Sequence, residues 1–229
     1  MPVIVAIAGP SGAGKTVLSG MLKDEGYAEI VSVTTRAPRK GEQNGVHYTF
    51  LNEEQFKELQ KNNGLIESVH MNGNYYGVPA EEAIRVSQEG RPIVVVAEPH
   101  GIAQINKYCE ENGWKCYRVF VNSPTELLME RLEDRFKNDL SNLNEQSETY
   151  EADKNKVIKA YESRKEHVLV KEQNEWVRPA YENPGLYEAV FDKFDKSVQE
   201  QVLDVIKLNV DSLLQEDNTV KKNNRMRFK

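Results

Sequence analysis

Apolar positions along this chain follow two rhythms. One is the uninterrupted run: Val3-Ile4-Val5-Ala6-Ile7-Ala8 contains no polar residue, the pattern of a strand buried on both faces, as in parallel sheets covered by helices. Residues 93–97 repeat it, and 117–121 do so apart from Arg118. The other rhythm is helical. Val17, Leu18, Met21 and Leu22 share one face of a helix ending near Gly26, and Val198, Val202, Val205, Ile206 and Val210 mark a closing helix. Helical stretches also follow Gly101 and Pro124, and short strands are expected at 29–33 and 186–191. Strands alternating with helices predict an α/β fold: a parallel, right-handed sheet of about five strands with helices on both faces.

Other stretches break this alternation. Residues 34–48 are polar and turn-rich. Asn52-Glu53-Glu54-Gln55 before Phe56 and Leu59 reads as a capped helix start. Leu65–Met71, the turn Asn72-Gly73-Asn74 and Tyr75-Tyr76 predict an antiparallel hairpin, with a helix after Pro79 running to about Glu89. Residues 135–185 are rich in Asn, Glu, Gln and Lys, and read as one long exposed helix with flexible flanks, outside the core. The basic end Lys221-Lys222-Asn223-Asn224-Arg225-Met226-Arg227-Phe228-Lys229 reads as a solvated tail without regular structure. The expected organisation is one domain. Its core comprises 1–31, 84–130 and 186–215, with a small subdomain at 32–83, a lid or insertion at 131–185 and a tail at 216–229.

Composition narrows the partners. A formal net charge of -6 argues against a nucleic-acid-coating protein, so any bound anion must be held by a local cluster of Arg and Lys. Cys109 and Cys116 form no CxxC pair and read as thiols in a reducing compartment. The run at 3–8 is too short for a signal segment, and nothing approaches the ~20 apolar residues of a membrane span. A cytoplasmic protein with no membrane partner is expected.

The chemistry begins where the first strand ends. Gly9-Pro10-Ser11-Gly12-Ala13-Gly14-Lys15-Thr16 matches G-x-x-x-x-G-K-[ST] in full, between a strand and a helix. Glycines let the backbone curl so that successive N–H groups point at phosphates, and the following helix adds its positive end. Lys15 then reaches the β- and γ-phosphates, and the Thr16 hydroxyl is placed to ligate magnesium. A second cluster gathers Ser32, Arg36, Arg39, Tyr48, Glu67, Tyr75 and Tyr76. Two arginines three apart suit bidentate clamping of a small dianion such as a monophosphate.

Together these residues resemble the guanylate kinase family. The resemblance rests on the P-loop, on Val33-Thr34-Thr35-Arg36-Ala37-Pro38-Arg39-Lys40-Gly41-Glu42, on Asn44-Gly45-Val46-His47-Tyr48-Thr49-Phe50 and on Gly73-Asn74-Tyr75-Tyr76-Gly77. It continues more loosely through Arg135 and resumes in 186–206. It implies ATP and Mg2+ at Gly9, Ser11, Gly12, Ala13, Gly14, Lys15 and Thr16, and GMP or dGMP as acceptor. Arg36, Arg39, Tyr48 and Tyr76 would hold the acceptor's phosphate, while Ser32 and Glu67 would read its base. Lys15 with the lid arginines Arg131 and Arg135 would neutralise the transferred group. Guanine presents N1–H and the 2-amino group side by side, so one carboxylate accepts both, whereas adenine's N1 is an acceptor.

Three positions depart from the family. Val78 stands where a Ser or Thr usually helps read the base. Val96-Ala97-Glu98-Pro99-His100-Gly101 keeps one acid of the usual Asp-x-Asp, leaving Glu98 to do its work. The 135–185 segment is longer than the family's lid and lacks its glycine-arginine turn, with Arg164 and Lys159 as candidates for the missing charge. His47 and His100 read as structural or exposed. Two alternatives stay open: a nucleoside monophosphate kinase of altered or relaxed base preference, and a non-catalytic binding module of guanylate-kinase type. Oligomeric state is not readable.

Overall fold

The run Val3–Ala8 forms β1, and its surroundings explain why every residue in it is apolar. The structure, a computed structural model, describes residues 1–38, 41–71 and 73–226, with side chains up to 215. β1 lies at the centre of a five-stranded sheet, between Ile93–Val96 (β7) and Lys115–Val121 (β8). Ala28–Glu29 (β2) pairs outside β7, and Ala189–Phe191 (β9) outside β8. All four pairings are parallel, with Ile4 opposite Ile93 and Val5 opposite Tyr117. Alternate β1 side chains enter two separate apolar clusters. Val3, Val5 and Ile7 join Leu18 and Leu22 of α1 (Lys15–Asp24), Leu128 and Leu132 of α5 (Thr125–Ser141), and Ile206 and Val210 of α8 (Gln199–Met226). Ile4, Ala6 and Ala8 join Ala83 and Val86 of α3 (Ala80–Ser87) and Ile102 and Ile105 of α4 (Pro99–Glu111). A strand walled on both faces leaves a polar side chain no water and no partner. Each large aliphatic side chain buried there contributes about 1.5–3 kcal/mol relative to exposure. The expected α/β architecture forms.

A smaller four-stranded sheet stands beside it, in the order β4-β3-β6-β5, from Val33–Thr34 (β3), Thr49–Phe50 (β4), Leu65–Met71 (β5) and Asn74–Pro79 (β6). The expected hairpin is β5 with β6; Asn72 of its turn lies outside the described residues. α2 (Glu53–Lys61) starts with the expected cap: Gln55 N–H donates to Asn52 Oδ1 at 2.8 Å, and Asn52 N–H to Gln55 Oε1 at 2.9 Å. Phe56 of α2 is fully buried and stacks on Tyr75 at 5.3 Å. The single strand expected at 29–33 is instead divided between the two sheets. Its ends answer to different partners: Ala28 N–H donates to Pro92 O (2.8 Å), while the Thr34 hydroxyl and Thr35 N–H donate to Tyr75 O (2.9 and 3.0 Å).

The 135–185 segment also differs from its expectation. It holds the end of α5, then α6 (Tyr150–Glu166), a π-helix (His167–Val177) and α7 (Arg178–Glu182). α6 buries no residue, as an exposed helix should. The π-helix, however, buries Val168, Glu172, Trp176 and Val177. Val168 belongs to the cluster under α1, α5 and α8, whereas Trp176, Val177 and Ala180 belong to the one under α3 and α4. The π-helix therefore bridges both apolar layers, and the charged residues between its anchors hide this from a composition reading. α8 runs on to Met226, well past Val210, through a stretch with no Gly or Pro to stop it; residues 227–229 lie outside the description. No helix among the described residues is long and apolar enough to cross a membrane. Cys109 and Cys116 are free thiols.

Candidate active site

The P-loop leaves the centre of the sheet between β1 and α1. Gly9 has φ 149°, and a Cβ there would sit 2.0 Å from the Val121 carbonyl oxygen; Gly14 has φ 102°, and a Cβ there would meet the Phe194 ring at 2.5 Å. Larger residues at either position would open the loop. Ala13 is fully buried, its N–H donating to Pro10 O at 3.1 Å. The Lys15 ammonium folds back over the loop, donating to Gly9 O at 2.7 Å and Pro10 O at 3.0 Å. Burial pushes its pKa down, and the charges of Glu172 and Glu98 push the other way. Thr16 is exposed in the first turn of α1 and lines the same cleft. Arg131 of α5 donates to Gly12 O at 2.7 Å and to Phe194 O at 2.6 Å, tying the loop to the chain before α8. Ser11 donates twice to Glu172, from N–H (2.8 Å) and from its hydroxyl (2.9 Å).

Across the cleft the small sheet presents the second cluster. Arg36 makes a two-pronged pair with Glu42 (2.9 and 3.0 Å) and lies 5.6 Å from the centre of the Tyr48 ring. Tyr48 meets Tyr76 edge-on at 6.2 Å. Ser32, in the crossing between the sheets, lines the cleft and accepts from Thr49 N–H through its carbonyl. Glu67 is 4% exposed yet reaches the cleft wall. Burial first, and then the charge of Glu98, raise its pKa to about 7. It fits because residue 101 is glycine: a Cβ there would lie 2.6 Å from Glu67 Oε1. Val78, paired with Glu67 across β5 and β6, is buried in the apolar layer and does not line the cleft. Arg39 lies outside the described residues.

The cleft between the two clusters measures about 1640 Å³, more than a single small-molecule site of 300–1000 Å³ requires. Among the described residues, four arginines line it: Arg36, Arg131, Arg135 and Arg164. Burial, followed by the charges of Arg164 and Arg36, lowers the pKa of Arg135, while Asp139 and Glu42 oppose the shift. Of the two candidate lid cations, Arg164 lines the cleft, whereas Lys159 is exposed and does not. His47 and His100 are exposed, and His47 lines the rim. Glu98 lines the cleft with Oε1 buried and, among the described residues, without a hydrogen-bond partner; burial raises its pKa against the pull of Lys15. Hard oxygen donors at Thr16 and Glu98 fit Mg2+, which takes few protein ligands and completes its shell with water and phosphate. Sequence reasoning missed Glu172, Gly101 and Phe194. Each acts on a residue far along the chain, and none stands in a local pattern that marks it.

The sequence model describing guanylate kinase matches residues 1–176 of this chain. The chain belongs to the guanylate kinase family. A guanylate kinase of Chlamydia muridarum is 34% identical over 134 residues, covering 57% of this chain and 63% of that protein. One from Latilactobacillus sakei is 35% identical over 137 residues, covering 58% and 66%. One from Mesoplasma florum is 39% identical over 137 residues, covering 58% and 44%. The match thus spans just under two thirds of the first two relatives and less than half of the third. A crystal structure of guanylate kinase from Anaplasma phagocytophilum superposes with a TM-score of 0.59 over 92% of this chain and 85% of that one. At 24% identity it supports the fold. Residues beyond 176, including α7, β9 and α8, lie outside the family match.

Proposed function

We propose that this chain is an ATP-dependent kinase that moves the γ-phosphoryl group of ATP to GMP or dGMP, giving ADP and GDP or dGDP. One observation carries the reading: the buried Glu67 carboxylate and the Lys15 P-loop open onto one cleft lined by Arg36, Arg131, Arg135 and Arg164. Lys15 and the P-loop amides take the triphosphate. Arg36, Arg39, Tyr48 and Tyr76 take the acceptor's phosphate, for which Arg36 shares its guanidinium between Glu42 and the ligand. Glu67, with Ser32, accepts N1–H and the 2-amino group of guanine. The acceptor oxygen belongs to an already ionised phosphate, so the chain supplies alignment and positive charge, and no general base. Arg131, Arg135 and Arg164 provide that charge between the two phosphates. Mg2+, held by Thr16 and Glu98, would neutralise charge on the phosphate oxygens.

In this reading 32–83 is the acceptor-binding subdomain and 131–185 supplies the lid. The partners are the two nucleotides, with no nucleic acid or membrane, and the free thiols suit a reducing, cytoplasmic compartment. Val78 favours a second reading on base preference: an apolar side chain buried away from the cleft contributes no hydroxyl to base recognition. Steady-state ADP production with ATP, Mg2+ and each common (deoxy)nucleoside monophosphate tests both. Turnover restricted to GMP and dGMP is expected. Comparable turnover with another base would move the assignment to a kinase of relaxed preference, and no turnover with any acceptor would leave a binding module.

A further inference from the structure

Part of the P-loop is already occupied from within the chain. Glu172 is 1% exposed, with His167 Nε2 3.8 Å from its Oε1, and both of its oxygens accept hydrogen bonds from Ser11. Oε2 accepts the Ser11 N–H at 2.8 Å and Oε1 accepts the Ser11 hydroxyl at 2.9 Å. Among the carboxylates around Lys15, Glu172 exerts the larger pull on its ammonium, ahead of Glu98. A backbone N–H and a hydroxyl donating to one anionic group, with the Lys15 ammonium held nearby on Gly9 O and Pro10 O, is the kind of setting in which a P-loop binds a phosphate oxygen. The contact spans 161 residues of sequence, so it follows from where the π-helix lies. That helix is pinned at Val168 to one apolar layer and at Trp176 and Val177 to the other, which carries Glu172 across the end of the sheet where the loop emerges.

We propose that Glu172 is a built-in phosphate surrogate, which holds the Ser11 donors until the triphosphate takes them, so that ATP binding displaces the carboxylate and rearranges 167–177. The inference rests on the P-loop being an ATP site. A single N–H cannot serve two anions at full strength, and a buried carboxylate beside the triphosphate is repelled by it. The π-helix supplies the means of retreat. Its i→i+5 turns are uncommon and concentrate at functional sites, and re-pairing them as i→i+4 rotates Glu172 while both ends stay packed. ATP affinity is therefore reduced by the cost of expelling Glu172, and ATP arrival is reported to α6, which joins the π-helix at Glu166 and His167.

The test uses the full chain with ATP and Mg2+. Glu172→Gln keeps the volume and an acceptor for Ser11 but removes the charge. Because a charge-assisted hydrogen bond is roughly twice as strong as a neutral one, calorimetry should show ATP binding about tenfold tighter in the variant. In the wild-type chain, amide hydrogen exchange across 167–177 should speed up when ATP is added. Equal or weaker ATP binding by a variant that melts at the wild-type temperature would overturn the proposal. If the variant melts lower, exchange in the wild type decides alone: slower or unchanged exchange with ATP bound makes Glu172 a permanent brace. Absence of ATP binding in both chains would remove the nucleotide reading as well, a result separable from wild-type binding that Glu172→Gln leaves unchanged.

Discussion

The proposed base recognition rests on one side chain, Glu67. With its pKa raised to about 7 by burial and by Glu98, much of it is protonated just below neutrality, while guanine's two donors require the ionised form. If Glu67 reads the base as proposed, GMP must therefore drive a proton off it at lower pH. The sign follows: GMP affinity should rise with pH through about 7 and level off above it, falling about tenfold per pH unit below. Calorimetry at pH 6 in buffers of different ionisation heat should count close to one proton released by the wild type beyond that released by Glu67→Gln. The subtraction cancels the protonation of GMP's own phosphate. Equal proton counts in the two chains would show that Glu67 does not read the base. Much of this site was legible beforehand because its residues sit in short local patterns, Lys15 in the P-loop and Tyr76 in Gly73-Asn74-Tyr75-Tyr76-Gly77. What was not legible is spatial. Nothing near Gly101 in sequence says that its missing Cβ makes room for Glu67, and the hydroxyl absent at Val78 turns out to concern a position facing the core.

At the scale of elements, the P-loop is held from outside as much as by its own turns. α5 reaches it through Arg131, whose guanidinium bridges Gly12 O and Phe194 O, while the Phe194 ring closes on Gly14. Those two bonds come from a charged donor and contribute about 1.5–3 kcal/mol each. Arg131→Met should lower the melting temperature by several degrees and weaken ATP binding, with GMP binding little changed. A residue acting only on the transferred phosphoryl group would instead lower kcat and leave both the melting temperature and ATP affinity alone; thermal melts beside calorimetry distinguish the two. The elements were readable to the extent that one periodicity governs them. β1, α1 and the helix after Asn52 each follow a single rhythm and form as expected. Residues 28–34 do not, because a short apolar stretch carries no sign that its two ends pair with different sheets. Nor does 167–177, whose Val168 and Trp176 face opposite layers and so never produce a one-sided stripe.

Across the whole molecule, the parts fixed to the core and those free of it divide along a functional line. α6 buries nothing, and its ring stack of Tyr161 on Phe136 of α5 (4.3 Å between centres) ties it to α5. Yet it carries Arg164 to the cleft that Tyr48 and Arg36 approach from the small sheet. An element that buries no residue and meets the core through the partly buried Tyr161 ring opens at low cost, which is where moving parts of enzymes are found. Two phosphates in the cleft would draw Arg164, Arg135 and Arg36 inward together, relieving the repulsion that, after burial, lowers the Arg135 pKa. Closure should therefore need both nucleotides, since either alone brings only part of the negative charge that draws this cationic cluster inward. The exposed connection at 142–149 between α5 and α6 is the natural protease site. Limited proteolysis with a non-hydrolysable ATP analogue and GMP together should slow cleavage there several-fold more than either ligand alone. Cleavage as fast with both as with one would mean that α6 does not close over the site, and that its arginine meets the phosphates from a fixed position.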